Sequence, residues 1–291
     1  MLSSALSFSL MVVCVRAVGS RIPLPEVVLI RALVSLALSG WLLWRARIPP
    51  LGHRRGLLMA RGVVGTAALY FFYGAVARLP MATATVLQYL YPTLTAALAW
   101  LLLGERVGRR LFLAMLLGWL GVLVIAAPLL PRHSGAAPDS LGLLMALAGA
   151  LLTAVAYTSV RRLGRSEHPL VIILYFPLMA VPLTLPAVLL DPVWPTAGEA
   201  AWLVGVGLFT QLGQIGVTRG LIGLPAAQAT ALSYAQVVFA ALWGWLFFAE
   251  VAEPRTWLGA LLVLGGTRLS QRAGRGDRHG SGAPRGGAGD R

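Results

Sequence analysis

Apolar runs of roughly one membrane span each follow one another along the chain, at residues 1–18, 25–44, 57–77, 80–102, 110–128, 140–160, 169–190, 199–218, 225–248 and 256–270. A helix needs about 20 apolar residues to cross the hydrocarbon core of a bilayer. The pattern therefore predicts an all-α integral membrane protein with ten transmembrane helices. The polar breaks between runs carry helix-stopping chemistry: Ile48-Pro49-Pro50, Leu79-Pro80, Pro128 to Pro138, His168-Pro169, Asp191-Pro192, Leu224-Pro225 and Glu253-Pro254, where proline ends one helix or opens the next. Residues 272–291 are rich in Gly and Arg and have no apolar face, so they are expected to be a disordered tail. The first span has neither a basic leader nor a small-residue cleavage signal. A removable signal peptide is therefore not expected, and a translation start upstream of Met1 is.

Composition supports the same class. The 291 residues are 58% hydrophobic and 12% charged, against about 25% charged in a soluble domain, which leaves no room for a soluble catalytic domain. The net charge of +14 comes entirely from arginine, and no charged, aromatic-interleaved surface for nucleic acid accompanies it. With the N-terminus inside, the inner loops collect Arg45, Arg47, Arg54, Arg55, Arg106, Arg109, Arg110, Arg161, Arg162, Arg165, Arg219 and the tail arginines, with Arg61 at a helix entrance. The outer edges hold only Arg16, Arg21, Arg78, Arg132 and Arg255, together with Glu26, Asp139, Asp191, Glu199, Glu250 and Glu253. This bias predicts both termini in the cytoplasm and an even number of spans in a multi-pass protein.

Sliding the chain against itself by 145 residues superimposes Leu79-Pro80 on Leu224-Pro225, Thr85 on Thr230, Tyr89 on Tyr234, Glu105 on Glu250, Gly121 on Gly266 and Arg16 on Arg161. The shift lays span four on span nine and span five on span ten. Each half then holds five spans, and because five is odd the halves are inverted relative to each other. Two inverted halves suit a protein with two asymmetric packings of similar energy, each open to one side of the membrane.

The stretch Ala77-Arg78-Leu79-Pro80-Met81-Ala82-Thr83-Ala84-Thr85, then Tyr91-Pro92, Leu103-Gly104-Glu105-Arg106 and Gly118-Trp119-Leu120-Gly121-Val122, resembles the EamA family of the drug/metabolite transporter superfamily. Its second copy is Gly223-Leu224-Pro225-Ala226-Ala227-Gln228-Ala229-Thr230, Phe248-Ala249-Glu250 and Leu264-Gly265-Gly266. The resemblance implies one EamA-like five-helix repeat at 1–128 and a second at 139–271. It further implies a central cavity lined by spans one, three, four, six, eight and nine, and export of metabolites from the cytoplasm. It also matches Arg31 to an arginine common in the family's second helix. Val237 stands where the first copy has Pro92, which opens the question whether the two helices bend alike.

Arg31 lies six residues past Pro25 in span two, about 9 Å below the surface at 1.5 Å per residue. A charge inside a span is a site candidate by default, here an anchor for a substrate carboxylate or phosphate; the alternative is a structural arginine bonding helix-end carbonyls or snorkelling outward. Polar residues on the cavity spans form a second group. Thr85, Gln88, Pro92 and Thr95 recur at helical spacing on span four, with Tyr89 beside them. Ser233 and Tyr234 repeat the layout on span nine, Gln211 and Gln214 lie on span eight, Tyr70 and Tyr73 on span three and Tyr157 on span six. Each serves either as a substrate contact or as hydrogen-bond glue between helices. Gly142, Ala146, Ala150 and Ala154, and the pair Gly216 and Gly220, predict close helix approach. Glu105 and Glu250 read as groups that stabilise helix ends.

No phosphate-binding GxxxxGK[ST] loop, metal-ligand spacing or catalytic triad is present in the sequence, and the predicted spans hold no interior acid. No cofactor is implied, and an enzyme is not expected. The expected function is export of small polar metabolites, amino acids or related compounds, by alternating access. The rival readings are a carrier of nucleoside-like or drug-like cations and a non-transporting membrane protein. The expected partners are a small-molecule substrate and membrane lipid, with no nucleic acid; a homodimer is left open.

Overall fold

The computed structural model describes residues 1–19, 21–79, 84, 87–105, 107–126, 139–248 and 254–280, and among them every regular element is helical. The helices are α1 (Leu2–Val18), α2 (Leu24–Ala46), α3 (Arg55–Arg78), α4 (Tyr91–Leu103), α5 (Arg109–Ala126), α6 (Ser140–Leu163), α7 (Pro169–Leu190), α8 (Ala197–Gly223), α9 (Ala226–Ala231), α10 (Ala235–Phe248) and α11 (Pro254–Gly280). A 3-10 turn, Leu232–Tyr234, joins α9 to α10. Six helical stretches are long and apolar enough to cross a membrane: α2, α3, α6, α7, α8 and the continuous run Ala226–Phe247. Leu2–Val18, Tyr91–Leu103 and Trp257–Ser270 are shorter apolar helices.

Several helix ends among the described residues fall where the breaks predict, with local causes. Pro169 opens α7 and Pro225 caps α9. The Asp139 carboxylate accepts from the N–H groups of Leu141 and Gly142 at the start of α6. Those bonds and the Arg78 guanidinium, 3.3 Å away, hold the Asp139 carboxyl below its ordinary range. Thr196 and Glu199 form a reciprocal capping box on α8, and Arg21 reaches Glu199 through Nε at 2.7 Å.

Two expectations need correction. Span four does not run unbroken from residue 80, because the chain turns at Tyr89 and Leu90 before α4 begins. Pro92 has no N–H to return to the carbonyl four residues back. Thr85 lies outside the described residues, as do Arg106, Glu250 and Glu253. The tail is the second case. Helix α11 continues to Gly280, well past the expected end at 270. No proline interrupts the chain between Pro254 and Pro284, and Gln271, Arg272, Ala273, Arg275 and Arg278 are good helix formers.

Packing follows the small residues. The main pairings are α1 with α8 and α10, α2 with α7 and α8, α3 with α6 and α7, α4 with α6 and α9, and α5 with α11. Ser4 of α1 donates to the Gly213 carbonyl at 2.8 Å, and a Cβ on Gly216 would collide with Ser4. Ala146, Ala150 and Ala154 are fully buried along α6. The outer surface is apolar, with Trp100, Leu101, Leu102, Phe112, Leu189 and Leu190 exposed, as a lipid-facing surface requires.

Candidate functional site

The interior holds two arginines. Arg31 on α2 is only 6% exposed and Arg61 on α3 only 3%. Both guanidinium carbons face the ring of Phe176 on α7, at 5.6 Å and 5.0 Å from its centroid. Arg31 is seven residues from the start of its helix, and Arg61 six from the start of the next. Since these consecutive helices are joined by a short loop, the two side chains enter the bundle from opposite ends. Arg61 Nη2 donates to Gln214 Oε1 on α8 at 3.3 Å. Tyr73 lies within electrostatic reach of Arg31 and Tyr157 of Arg61. Arg31 Nε and Nη2 and Arg61 Nε and Nη1 are buried without an acceptor, and among the described residues neither guanidinium is ion-paired.

Glycines make this arrangement fit. A Cβ on Gly62 would lie 2.4 Å from the Tyr175 carbonyl oxygen, and one on Gly65 would lie 3.0 Å from the Phe176 ring. Only a glycine pair lets α3 approach α7 closely enough to set Phe176 beside both cations.

Arg61 is a correction to the sequence reading, which placed it at a helix entrance with the cytoplasmic charges. It follows Arg54 and Arg55 so closely that it reads as part of the loop. In the structure α3 begins at Arg55, which puts Arg61 about 9 Å into the helix, with Gly65 one turn further on the same face. Phe176 carries no signal of its own within an apolar run.

The remaining expected residues divide into groups. Tyr89 and Tyr234 stack on each other, 5.9 Å between centroids, in a buried cluster with Val122 and Val263. Tyr91 meets Tyr157 edge-on at 5.4 Å. The Pro92 carbonyl accepts from Thr230 at 3.4 Å. Tyr157 thus links the tyrosine cluster to the arginine pair. Gln211 points elsewhere and donates to Ser39 on α2 at 2.9 Å. Gln88 donates to Thr153 at 3.0 Å, and its Oε1 is unpartnered. The Tyr70 hydroxyl is buried without a partner. Among the described residues no three His, Cys, Asp or Glu side chains gather to hold a metal. An open cleft of about 910 Å³ lies apart from these groups, where Trp44, Arg47 and Pro49 close the end of α2.

Apolar helices around an interior with unpaired cations and amides define a polytopic membrane protein with an internal polar site. The EamA-like transporter family model matches residues 1–127 and again 140–271. The chain belongs to that family and is a membrane transporter. It is 29% identical over 262 residues to the pseudopaline exporter of Pseudomonas aeruginosa, covering 90% of each protein. A riboflavin transporter of Vibrio cholerae is 28% identical over 164 residues, 56% of this chain and 53% of that protein. Human solute carrier family 35 member G1 is 28% identical over 227 residues, 75% of this chain and 62% of that protein. A solved crystal structure superimposes with a TM-score of 0.84 at 21% identity, covering 94% of this chain and 95% of its own, which establishes the shared fold.

Proposed function

We propose that the protein exports a small polar metabolite, an amino acid or a related compound, across a bacterial inner membrane by alternating access, with Arg31 taking the substrate's carboxylate. The observation that carries this reading is the buried, unpaired arginine site in the interior of a family-assigned transporter. Buried cations without partners are functional by default in a membrane, and they attract an acid. The same charges disfavour the rival carrier of nucleoside-like or drug-like cations. The relative that exports pseudopaline supports the outward direction of transport.

The proposed scaffold is ten spans in two inverted five-helix halves, residues 1–128 and 139–271, with both termini in the cytoplasm. Support comes from contacts that recur at the 145-residue shift. Gly62 packs on Met179 while Gly207 packs on Val34, and the close approach at Gly121 has its counterpart at Gly266. The pairing of α3 with α6 is matched by α8 with α1, and that of α2 with α8 by α7 with α3. Tyr89 and its repeat mate Tyr234 meet each other, as two residues beside a two-fold axis would. Gln88, Pro92, Ser233 and Gln214 are proposed to complete the substrate path with Tyr70, Tyr73, Tyr157 and Gln211.

The test is efflux of labelled amino acids from proteoliposomes, with and without a pH gradient. Saturable efflux of at least one compound is expected, and Arg31→Ala should abolish it while the variant still purifies as a folded protein. Absence of saturable flux for every compound overturns the reading. Equal flux with and without the gradient would assign facilitated export rather than proton antiport.

A further inference from the structure

We propose that Arg31 and Arg61 form a two-point anion site around Phe176, and that the substrate carries two separate acidic groups, one for each guanidinium. The inference rests on the transport reading above and narrows its substrate class. On Arg31 the free donors are Nε and Nη2, the two donors along one edge of the guanidinium, which pair with both oxygens of a single carboxylate. One acid group fills that edge. Arg61 still has Nε and Nη1 buried and unbonded, with Nη2 held by Gln214, and these need a second acceptor. Charge leads to the same count. A monoanion neutralises one of two buried cations, and among the described residues no carboxylate pairs with the other. Since each guanidinium carbon lies 5.6 Å or 5.0 Å from the same ring centroid, the two are at most about 11 Å apart, within reach of one small molecule stacked at the Phe176 ring. Gln214 accepts from Arg61 Nη2 at 3.3 Å and so ties the second anchor to α8.

The experiment uses the purified full chain and linear dicarboxylates from succinate to suberate, each against its own monomethyl ester, which has nearly the same length and one charge fewer. Binding is read as the concentration giving half-maximal thermal stabilisation, and transport as inhibition of amino-acid efflux from proteoliposomes. At least one diacid should bind about tenfold or more tightly than its half ester, the loss expected for one charge-assisted hydrogen bond to a buried guanidinium. In Arg61→Gln the diacid should fall to the level of the half ester, while the half ester itself binds as before. Including 4-phosphonobutyrate beside glutarate tells whether the second group is taken better as phosphonate or as carboxylate, and a preference for either over its monoacid supports the site. Diacids and half esters that bind equally across the series in the unaltered protein overturn the proposal, even if Arg61→Gln does not fold. In that case saturable amino-acid efflux would leave the transport reading standing. If no compound binds and none is transported, both readings fall.

Discussion

Placing an arginine at the centre of a membrane helix costs about 2.5–3.5 kcal/mol on insertion scales, and a cation over an aromatic face recovers about 0.5–2 kcal/mol. Phe176 therefore offsets only part of the burial of Arg31 and Arg61, and the remaining deficit is what the proposed anionic substrate would relieve. The glycines that admit Phe176 are open to direct test. In Gly62→Ala the new methyl group would sit 2.4 Å from the Tyr175 backbone oxygen, so α7 must shift. We expect a loss of about 1–3 kcal/mol in thermal stability, with weaker ligand binding. Gly40 on α2 has open space around its Cβ position, and Gly40→Ala should be neutral or gain up to about 1 kcal/mol. Equal melting of the two variants would remove the close-approach argument. Arg31 was legible in the sequence because a lone charge inside an apolar run stands out. Arg61 was not, because Arg54 and Arg55 extend the basic loop almost to it, and the helix start that separates them is set by tertiary packing rather than by a proline or a capping residue.

At the level of elements, spans four and nine break at corresponding places by different means. The first turns at Tyr89 and Leu90 ahead of Pro92, and the second tightens into the 3-10 turn Leu232–Tyr234 with Val237 in place of the proline. The sequence pointed to the first break through Pro92 and had no signal for the second, since nothing in Leu-Ser-Tyr forbids a continuous helix. Stacking of Tyr234 on Tyr89 and packing of its ring against Gly118 supply the cause. Nearby, one ion pair ties four helix ends. Glu105, just past α4, bonds Arg161 at 2.7 Å and accepts from the Ala226 N–H that opens α9; Arg161, near the end of α6, also donates to the Leu221 and Ile222 carbonyls of α8. Their side chains are 15% and 22% exposed, so screening is modest and the pair is worth more than a surface bridge. Glu105→Gln should cost about 1–3 kcal/mol. A cycle with Arg161→Gln should show coupling of about 0.5–3 kcal/mol in thermal melts; strictly additive losses would mean that the α8 carbonyls alone hold Arg161.

Across the whole molecule, the proposed two-fold scaffold carries an asymmetric charge pattern. The 145-residue shift places Arg31 on Phe176 and Arg61 on Val206, so both cations belong to the first half, and one of them faces its own repeat mate. If the halves are inverted, residues related by that shift must emerge on opposite sides of the membrane. Arg21, between α1 and α2, and Ser166, between α6 and α7, are such a pair, and both are exposed. The single cysteine, Cys14, is buried, so a Cys14→Ser background is expected to fold and to give no labelling of its own. In intact cells a membrane-impermeant maleimide should label Arg21→Cys and, on the same outer face, Trp194→Cys between α7 and α8. Ser166→Cys and His53→Cys should label only after the membrane is opened. Arg21 contributes a surface ion pair to Glu199, whose loss should cost little, so the substitution leaves the topology intact. Labelling of Arg21→Cys and Ser166→Cys from the same side would overturn the inverted repeat. Exchange of all four results would keep the repeat and reverse the orientation, placing the termini outside despite the arginine bias.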